Sequence, residues 1–428
     1  MDKASFVFAH LADAHVGAWA RDPAIRLALR QSLLRSIAVA EERGAEFLLI
    51  SGDLFHTPVP DPTEVAPVAA ALRAFTERGR RVYVIYGSHD YVAHRTSWLD
   101  VLAETGIFLR AAPEAVRAEG TRWTLPFQID EPTGAVIAGI SGRSHGLDRS
   151  YFAAVDSESF RQQPGFRIFQ FHAAVDEFLP EGLREHIHGI HRDDLPRGCD
   201  YYAGGHIHYT YVGSGPEGGL LVNPGAVFGT SLTDLENGIR GRTHQGLAIV
   251  TVENGVPSVE FVDTAPRERL RVFDVDISGK SADEARSSVQ KAIEGEAGPG
   301  LILLPRLHGT LSSGTLGGLG LGRTERGPGS SDVEAIHWDL RDTAPTAATA
   351  ESSTETEYAL VDQAISTLAA ADPGALGDLW AGRAEAGIRE LLKELSQPIS
   401  EGEGRQDYET ARIDGAFRIL GVRPEPRG

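Results

Sequence analysis

A chain of 428 residues, 41% of them hydrophobic, suggests two or three domains and contains no uncharged apolar run near the roughly 20 residues that span a bilayer. The formal charge of −19 argues against broad, unspecific coating of nucleic acid, although metal ions in an acidic cleft reverse the local sign. The single cysteine, Cys199, excludes an internal disulfide framework. Because the N-terminus also has no signal-peptide pattern, we expect a cytoplasmic protein that does not enter a membrane.

The N-terminal part alternates strand-like runs with helical patterns. The predicted elements are a strand at 6–13, a helix at 22–44, a strand at 46–51, a helix opening at 61–64 and a strand at 81–87. Asp22 and Asp61 are the expected N-caps of the two helices, and Pro67 is expected to strain the second helix if it continues unbroken. This βαβαβ order predicts a parallel sheet flanked by helices.

From about residue 121 the pattern changes to strands joined by loops, with sparse helical signals. The predicted strands lie at 135–141, 166–172, 200–206, 219–225, 246–252 and 258–263. This order favours a mixed sheet or two stacked sheets over a continuing parallel series.

Near residue 266 the pattern changes again. A strand at 271–279, a helix from about 281 to 295 and a strand at 301–309 predict a small βαβ unit, which is followed by a Gly-rich segment at 312–332 that we interpret as a flexible loop. A strand at 334–340 and helices at about 358–371 and 375–396 complete the predictions. The predicted domains are a large α/β domain at 1–265, a small α/β domain at 266–342, a linker at 343–357 and a helical region at 358–428.

Five short segments place metal-ligand residue types at or just after predicted strand ends. They are Asp13-Ala14-His15, Gly52-Asp53, Gly87-Ser88-His89-Asp90, Phe171-His172 and Gly205-His206-Ile207-His208. Each segment alone is weak evidence, and a lone histidine such as His172 is also typical of a buried core position. Because the carboxyl ends of neighbouring strands meet at one edge of an α/β sheet, the five segments are expected to converge. Imidazole and carboxylate together suit manganese, iron or zinc.

The order of these segments resembles the signature of the calcineurin-like metallophosphoesterases. The contexts LADAHVG, LLISGDLFHTPVPDP and VYVIYGSHDY are similar to the SbcD-type DNA repair exonuclease branch of that family. The resemblance covers residues 5 to about 265, and the βαβ unit is similar to the capping domain of the same branch. It implies an α/β fold with two mixed β-sheets flanked by helices, a small α/β capping domain and C-terminal helices.

The resemblance also implies a site with two divalent ions, for which we expect manganese, with iron and zinc as alternatives. One ion would be held by Asp13, His15, Asp53 and His208, and the other by Asp53, the residue at position 88, His172 and His206. His89 would contact the phosphate or protonate the leaving oxygen, and Asp90 would orient His89. Tyr91, directly after this loop, is expected to shape the substrate cleft.

Ser88 departs from the family pattern, which usually has asparagine at this position. A hydroxyl is shorter than an amide and a poorer oxygen donor to a divalent cation. Three outcomes stay open: a water fills the vacated ligand position with Ser88 behind it, the second ion binds weakly, or catalysis is lost.

By resemblance, the predicted function is a metal-dependent DNA phosphodiesterase, exonuclease or endonuclease, in DNA repair. The predicted partners are DNA, a second copy of the chain in a homodimer and an SbcC-type SMC-like ATPase. The helix at 375–396 would either dock that ATPase or pack on its own domain. Two alternatives remain: a phosphoesterase for a nucleotide or other small phosphodiester, which the acidic charge supports, and a non-catalytic scaffold that binds the ATPase or DNA ends.

Overall fold

The protein is described from a computed structural model. The described residues are 5–90, 96–112, 117–119, 122–142, 148–184, 187, 189–321, 333–344, 386, 390, 391, 393, 394, 412, 415, 418 and 419. The chain divides into two compact units, the first with residues 1–277, 283–309 and 319–343, and the second with residues 278–282, 310–318 and 344–428. No helix in the described part of the chain is long and apolar enough to cross a membrane.

The elements alternate early in the chain and are rich in strands later, as the sequence predicts. The strands are β1 Phe6–Leu11, β2 Phe47–Ser51, β3 Arg81–Ile85, β4 Leu109–Arg110, β5 Arg117–Glu119, β6 Arg122–Thr124, β7 Gln128–Asp130, β8 Ala135–Ile140, β9 Arg167–Phe171, β10 Tyr201–Ala203, β11 Tyr211–Ser214, β12 Leu220–Asn223, β13 Gly246–Glu253, β14 Val256–Asp263, β15 Leu270–Asp276, β16 Leu301–Thr310, β17 Val333–Ile336 and β18 Asp339–Ala344. The helices are α1 Pro23–Glu42, α2 Pro62–Glu77, α3 Trp98–Glu104, α4 Asp148–Ala153, α5 Ser157–Arg161, α6 Glu181–Arg184, α7 Leu232–Ile239 and α8 Ala282–Glu296.

The first sheet has the strand order β14-β13-β1-β2-β3-β4. Strands β1 to β4 are parallel, and β13 and β14 extend the sheet in antiparallel fashion. Helix α1 buries Ile25, Leu29 and Leu33 in one core cluster with Leu48 and Ile50 of β2. The i+4 spacing of these helical residues therefore produces the buried face that the pattern predicts.

The two predicted N-cap residues behave differently in the structure. Asp22 occupies the N-cap position of α1, but its carboxylate pairs with His337 at 3.0 Å and makes no side-chain capping bond. Asp61 does cap α2 by accepting a hydrogen bond from Thr63 N at 2.8 Å. Helix α2 runs unbroken through Pro67.

The second sheet has the order β11-β12-β10-β9-β8-β7, with parallel pairs in its centre and antiparallel strands at both edges. An aromatic cluster joins it to the first sheet. Phe8 and Phe47 stack with 4.9 Å between ring centroids, and Tyr201 meets Phe8 edge-on at 5.1 Å. Full burial of each such ring contributes about 1.5–3 kcal/mol. The predicted fold class, two mixed sheets flanked by helices, is confirmed.

A four-stranded sheet follows, in which β16 pairs with β15 and β17 in parallel and with β18. Helix α8 connects β15 to β16, as the βαβ prediction requires. The strand expected at 334–340 is instead two strands, β17 and β18, interrupted at residues 337 and 338. The separate domain boundaries proposed from the sequence stay predictions, as does the linker, most of which lies outside the described residues.

Of the two predicted C-terminal helices, the first, at 358–371, lies outside the described residues. Within the second, at 375–396, residues 386, 390, 391, 393 and 394 are described, and all of them are helical. The role of that helix in docking an ATPase stays a prediction.

Candidate metal centre

The five predicted ligand segments each follow the carboxyl end of a strand. Asp13 comes after β1, Asp53 after β2 and Ser88 after β3 in the first sheet, while His172 follows β9 and His206 follows β10 in the second. Since the aromatic core holds the two sheets face to face, the loops at these strand ends meet. The structure thus brings the five segments together.

The backbone at this edge adopts unusual conformations. Asp13, His15, Asp53 and His206 have positive φ angles of 52°, 45°, 51° and 92°. Such left-handed conformations are uncommon outside glycine and concentrate at functional sites. Backbone hydrogen bonds hold the loops in place, with Asp13 N donating to Gly52 O at 3.1 Å and His15 N donating to Asp53 O at 2.9 Å.

Gly52 and Gly87 allow these loops to approach closely. A Cβ atom at Gly52 would lie 2.4 Å from His172 Nδ1, and one at Gly87 would lie 2.0 Å from Asp53 Oδ1. Both distances are shorter than real Cβ contacts, so side chains at these positions would displace the ligand residues. The glycines of the GD and GSHD segments are therefore required by packing.

Asp13, His15 and His208 form the first group of donors, whose ligand atoms lie within 4.8 Å of one another. The Nε2 atoms of His15 and His208 are 3.2 Å apart, and His15 Nε2 is 3.6 Å from Asp53 Oδ2. Asp13 and His15 are buried. Two imidazole nitrogens this close repel unless a proton or a cation lies between them, so the arrangement fits a cation.

Asp13, Asp53 and His172 form the second group. His172 Nδ1 donates to the carbonyl oxygen of Ser51 at 2.8 Å, which leaves Nε2 facing Asp53 Oδ2 at 3.2 Å. His172 Nε2 is buried and has no hydrogen-bond partner among the described residues. A buried nitrogen with its tautomer fixed by a backbone carbonyl is typical of a metal ligand.

His206 lies beside this second group. Its ring is 5.1 Å from that of His172, centroid to centroid, and its backbone N–H donates to Asp13 Oδ2 at 2.9 Å. Among the described residues, the ring nitrogens of His206 are outside the tight donor groups. Its predicted role as a ligand stays a prediction.

Ser88 contacts the carboxylate of Asp53, whose Oδ2 atom faces His15 of the first group and His172 of the second. Its hydroxyl donates to Asp53 Oδ2 at 3.3 Å, while the backbone N–H of His89 donates to Asp53 Oδ1 at 2.7 Å. The loop after β3 therefore orients Asp53 from one side.

Asp90 does not orient the His89 ring, contrary to the sequence expectation. Its buried carboxylate accepts hydrogen bonds from the backbone N–H groups of Leu54, Phe55 and Gly87 at 2.9 to 3.1 Å. Three such donors can satisfy the carboxylate without an imidazole, so Asp90 ties the loop after β2 to the loop after β3. Tyr91 lies outside the described residues.

The His89 ring is oriented by His56. His89 Nδ1 donates to the carbonyl oxygen of His56 at 2.9 Å, and the two rings stack with 4.9 Å between centroids. His15 meets the same His89 ring edge-on at 4.8 Å. His89 itself is exposed, so its second ring nitrogen is available to a substrate. From the sequence alone His56, three residues after Asp53, was expected to lie near the site and could touch substrate, but its contact with His89 was not predicted.

Asp234 is a functional candidate that the sequence reasoning missed. Its Oδ2 atom accepts a hydrogen bond from His208 Nδ1 at 2.9 Å, which leaves His208 Nε2 for the first donor group. Asp234 also closes the capping box of α7 with Ser231. The S-x-x-D pattern could have predicted the helix start but not the contact with His208.

Burial and neighbouring charges shift the acidities at this centre. Burial raises the pKa of Asp13 to about 6. At Asp53 burial works in the same direction, but the positive charges of His172 and His15 outweigh it and hold the pKa well below its usual range. Burial lowers the pKa of His206 to about 4. Two buried carboxylates and several imidazoles within reach of one another are a donor set that divalent cations satisfy.

Comparison with known proteins adds independent findings. Residues 6–210 match the family model of the calcineurin-like phosphoesterases. The DNA double-strand break repair protein Mre11 of Archaeoglobus fulgidus is 27% identical over 291 residues, covering 64% of this chain and 62% of that protein. Mre11 of Methanopyrus kandleri is 24% identical over 288 residues, with coverages of 64% and 60%. The uncharacterized metallophosphoesterase YhaO of Bacillus subtilis is 25% identical over 232 residues, with coverages of 54% and 51%. The chain thus spans between half and two thirds of the length of these relatives.

Proposed function

We propose that this chain, whose residues 6–210 match the family model of the calcineurin-like phosphoesterases, is a metal-dependent DNA phosphodiesterase in the repair of DNA. The observation that carries this proposal is the convergence of Asp13, Asp53, His15, His172 and His208 on one buried centre. The name of the Mre11 relatives supports DNA as the substrate.

In this proposal the residues have separate tasks. Asp13, His15, Asp53 and His208 would hold one divalent ion, and Asp53, His172 and His206 the other. Such ions would supply positive charge that stabilises the attacking and leaving oxygens of the phosphodiester. Asp53 would be the shared ligand. Its Oδ2 atom lies 3.6 Å from His15 Nε2 and 3.2 Å from His172 Nε2, which supports that role. His89 gives a proton to the leaving oxygen, since its ring is exposed and its Nδ1 is fixed on the His56 carbonyl.

Ser88 acts beside the ligands in this account. Its hydrogen bond to Asp53 supports a role in orienting the shared carboxylate. Asp53, His172 and His206 would then hold the second ion without the amide oxygen that an asparagine at position 88 would supply. The second ion is therefore expected to bind more weakly than the first.

Finer features belong to the same proposal. We expect manganese as the metal, cytoplasmic action as a homodimer, and cooperation with an SbcC-type SMC-like ATPase. These features rest on the amino-acid sequence and on the family resemblance that it carries. Exonuclease and endonuclease action are both compatible with the arrangement of the site.

The test is cleavage of linear duplex and single-stranded DNA by the purified chain with manganese. We expect cleavage that stops on chelation and is lost in Asp53→Asn, which keeps the size of the side chain but removes its charge. Absence of cleavage with manganese, iron and zinc, and in Ser88→Asn as well, would exclude a DNA nuclease.

A second candidate is a phosphoesterase for small phosphodiesters. The formal charge of −19 disfavours a polyanionic substrate, and one relative, YhaO, is named only as a metallophosphoesterase. Metal-dependent hydrolysis of a nitrophenyl phosphodiester without cleavage of DNA would favour this candidate. A non-catalytic scaffold would instead bind no metal after reconstitution.

A further inference from the structure

An open cleft of about 460 Å³ lies in the first compact unit, outside the donor groups of the metal centre. It is lined by Trp19, residues 230–232 and residues 337–341, and we call it the Trp19 cleft. Three parts of the chain form it: the loop that carries Asp13 and His15, the start of α7, and the segment between β17 and β18. Its volume is in the range of small-molecule sites, about 300–1,000 Å³.

Trp19 forms a rigid wall of this cleft. Its Nε1 donates to the carbonyl oxygen of Gly229 at 3.0 Å, and the edge of its ring system meets the His337 ring at 5.3 Å and 87°. The backbone of Trp19 has a φ of 59°, a strained conformation for a bulky aromatic residue. Strain of this kind persists where surrounding contacts enforce it, and it is concentrated at functional sites.

The same loop connects the cleft to the metal centre. Ala18 N donates to His15 O at 2.9 Å, so a single turn joins the candidate ligand to Trp19. Four residues of chain place the Cα atoms of His15 and Trp19 within about 14 Å of each other. If a DNA strand places a phosphate at the metal centre, a base bound at Trp19 would therefore belong to a nucleotide close to that phosphate.

The charged groups of the cleft are paired with one another. His337 Nδ1 lies 3.0 Å from Asp22 Oδ1, and the Arg341 guanidinium donates to both oxygens of Asp339 at 2.9 and 2.7 Å. A phosphate would have to compete with the Asp339 carboxylate for the Arg341 guanidinium. The cleft instead offers the indole rings of Trp19 and Trp338 and charged groups that are already paired. Such a lining suits a flat, neutral ligand that stacks on an indole ring.

We propose that the Trp19 cleft binds one unstacked nucleobase of a single-stranded DNA segment, which stacks on Trp338 beside the wall formed by Trp19. This inference rests on the proposed DNA substrate and adds a subsite to it. A nucleobase is planar and neutral, and stacking on tryptophan tolerates any base. The subsite would position the strand so that a neighbouring phosphate reaches the metal centre.

The test measures equilibrium binding of a short fluorescent oligothymidylate, with calcium in place of manganese and moderate salt to screen the negative charge of the protein. Trp338→Ala is expected to weaken binding about tenfold, within the range for loss of one stacked base. Trp338→Phe keeps an aromatic ring and should recover most of the affinity. Trp123→Ala removes a tryptophan outside the cleft and serves as the matched control.

A second arm tests the base directly. An oligonucleotide of the same length made of abasic units should bind wild type and Trp338→Ala equally, because neither can stack it. Equal affinity of wild type and Trp338→Ala for the oligothymidylate, an equal loss on both ligands, or no binding by wild type would overturn the proposal. Manganese-dependent cleavage is measured separately, so failure of the nuclease function is distinguishable from failure of the cleft.

Discussion

Replacement of Asp234 is the sharpest test of how the metal centre is organised. One oxygen, Asp234 Oδ2, accepts hydrogen bonds from His208 Nδ1 at 2.9 Å, Thr230 N at 2.9 Å and Ser231 N at 3.0 Å. Asp234→Ala removes all three. The lost cap costs about 1 kcal/mol and the unpaired donors about 1–3 kcal/mol. We therefore expect a loss of about 2–4 kcal/mol in the free energy of unfolding.

Metal affinity should fall as well, because His208 loses the partner that fixes its tautomer and ring orientation. Loss of such a partner typically reduces metal affinity about 10- to 100-fold. Asp234→Asn separates the two effects, since its amide oxygen still accepts the backbone bonds while the negative charge is gone. We expect Asp234→Asn to be destabilised by about 1 kcal/mol but to bind manganese at least tenfold more weakly.

Calorimetric titration with manganese and urea unfolding measure the two quantities. Glu236→Gln is the matched control, because Glu236 lies on the same helix and pairs with Arg306 at 2.7 Å without contacting His208. The control should bind manganese like the wild type. An Asp234→Ala variant that loses stability but keeps the wild-type affinity for manganese would refute the role of Asp234 in orienting His208.

Three further predictions follow from the same contacts. Ser88→Asn should tighten binding of the second ion severalfold in the same titration, and an unchanged affinity would mean that position 88 does not face that ion. His89→Gln should lower kcat on DNA by about 10²- to 10⁴-fold with metal affinity retained, so an unchanged kcat would exclude its role in proton transfer. Burial opposes ionisation of Asp130, but hydrogen bonds from Arg81, Thr133 and Tyr83 outweigh it and hold its pKa below the usual value. The stabilisation by Asp130 is thus complete above its unfolded pKa of about 3.9 and is lost as the pH falls through the lower folded value. Urea unfolding across this acid range should show that loss in wild type and not in Asp130→Asn.

The sequence predicted most of the site because its ligands lie on local patterns. Each ligand segment directly follows a strand, and strand ends on one sheet edge converge whatever the details of the core. Gly52 and Gly87 are part of the same patterns. The structure explains why they are glycines, because a Cβ atom at either position would collide with His172 or Asp53. The two mixed sheets were predictable for a related reason, since alternation of strands and helices early in the chain gives way to strands alone.

The parts that the sequence did not predict depend on contacts between distant residues. Asp234 meets His208 across 26 positions and lies in a segment whose local pattern indicates only a helix start. Asp90 was expected to act on its neighbour His89, yet it binds backbone groups of the loop after β2, which carry no side-chain signal. Trp19 and Trp338 line one cleft although they are far apart in the chain. Contacts between residues this far apart depend on how the whole chain packs and leave no local pattern in the sequence.

The proposed function depends on a centre for two divalent ions that share Asp53 as a ligand. The most direct measurement is anomalous diffraction from a crystal of the protein soaked in manganese. We predict two anomalous peaks, one beside Asp13, His15 and His208 and the other beside His172, with the Asp53 carboxylate between them. Peaks located elsewhere, or no peak at this edge of the sheets, would contradict the account.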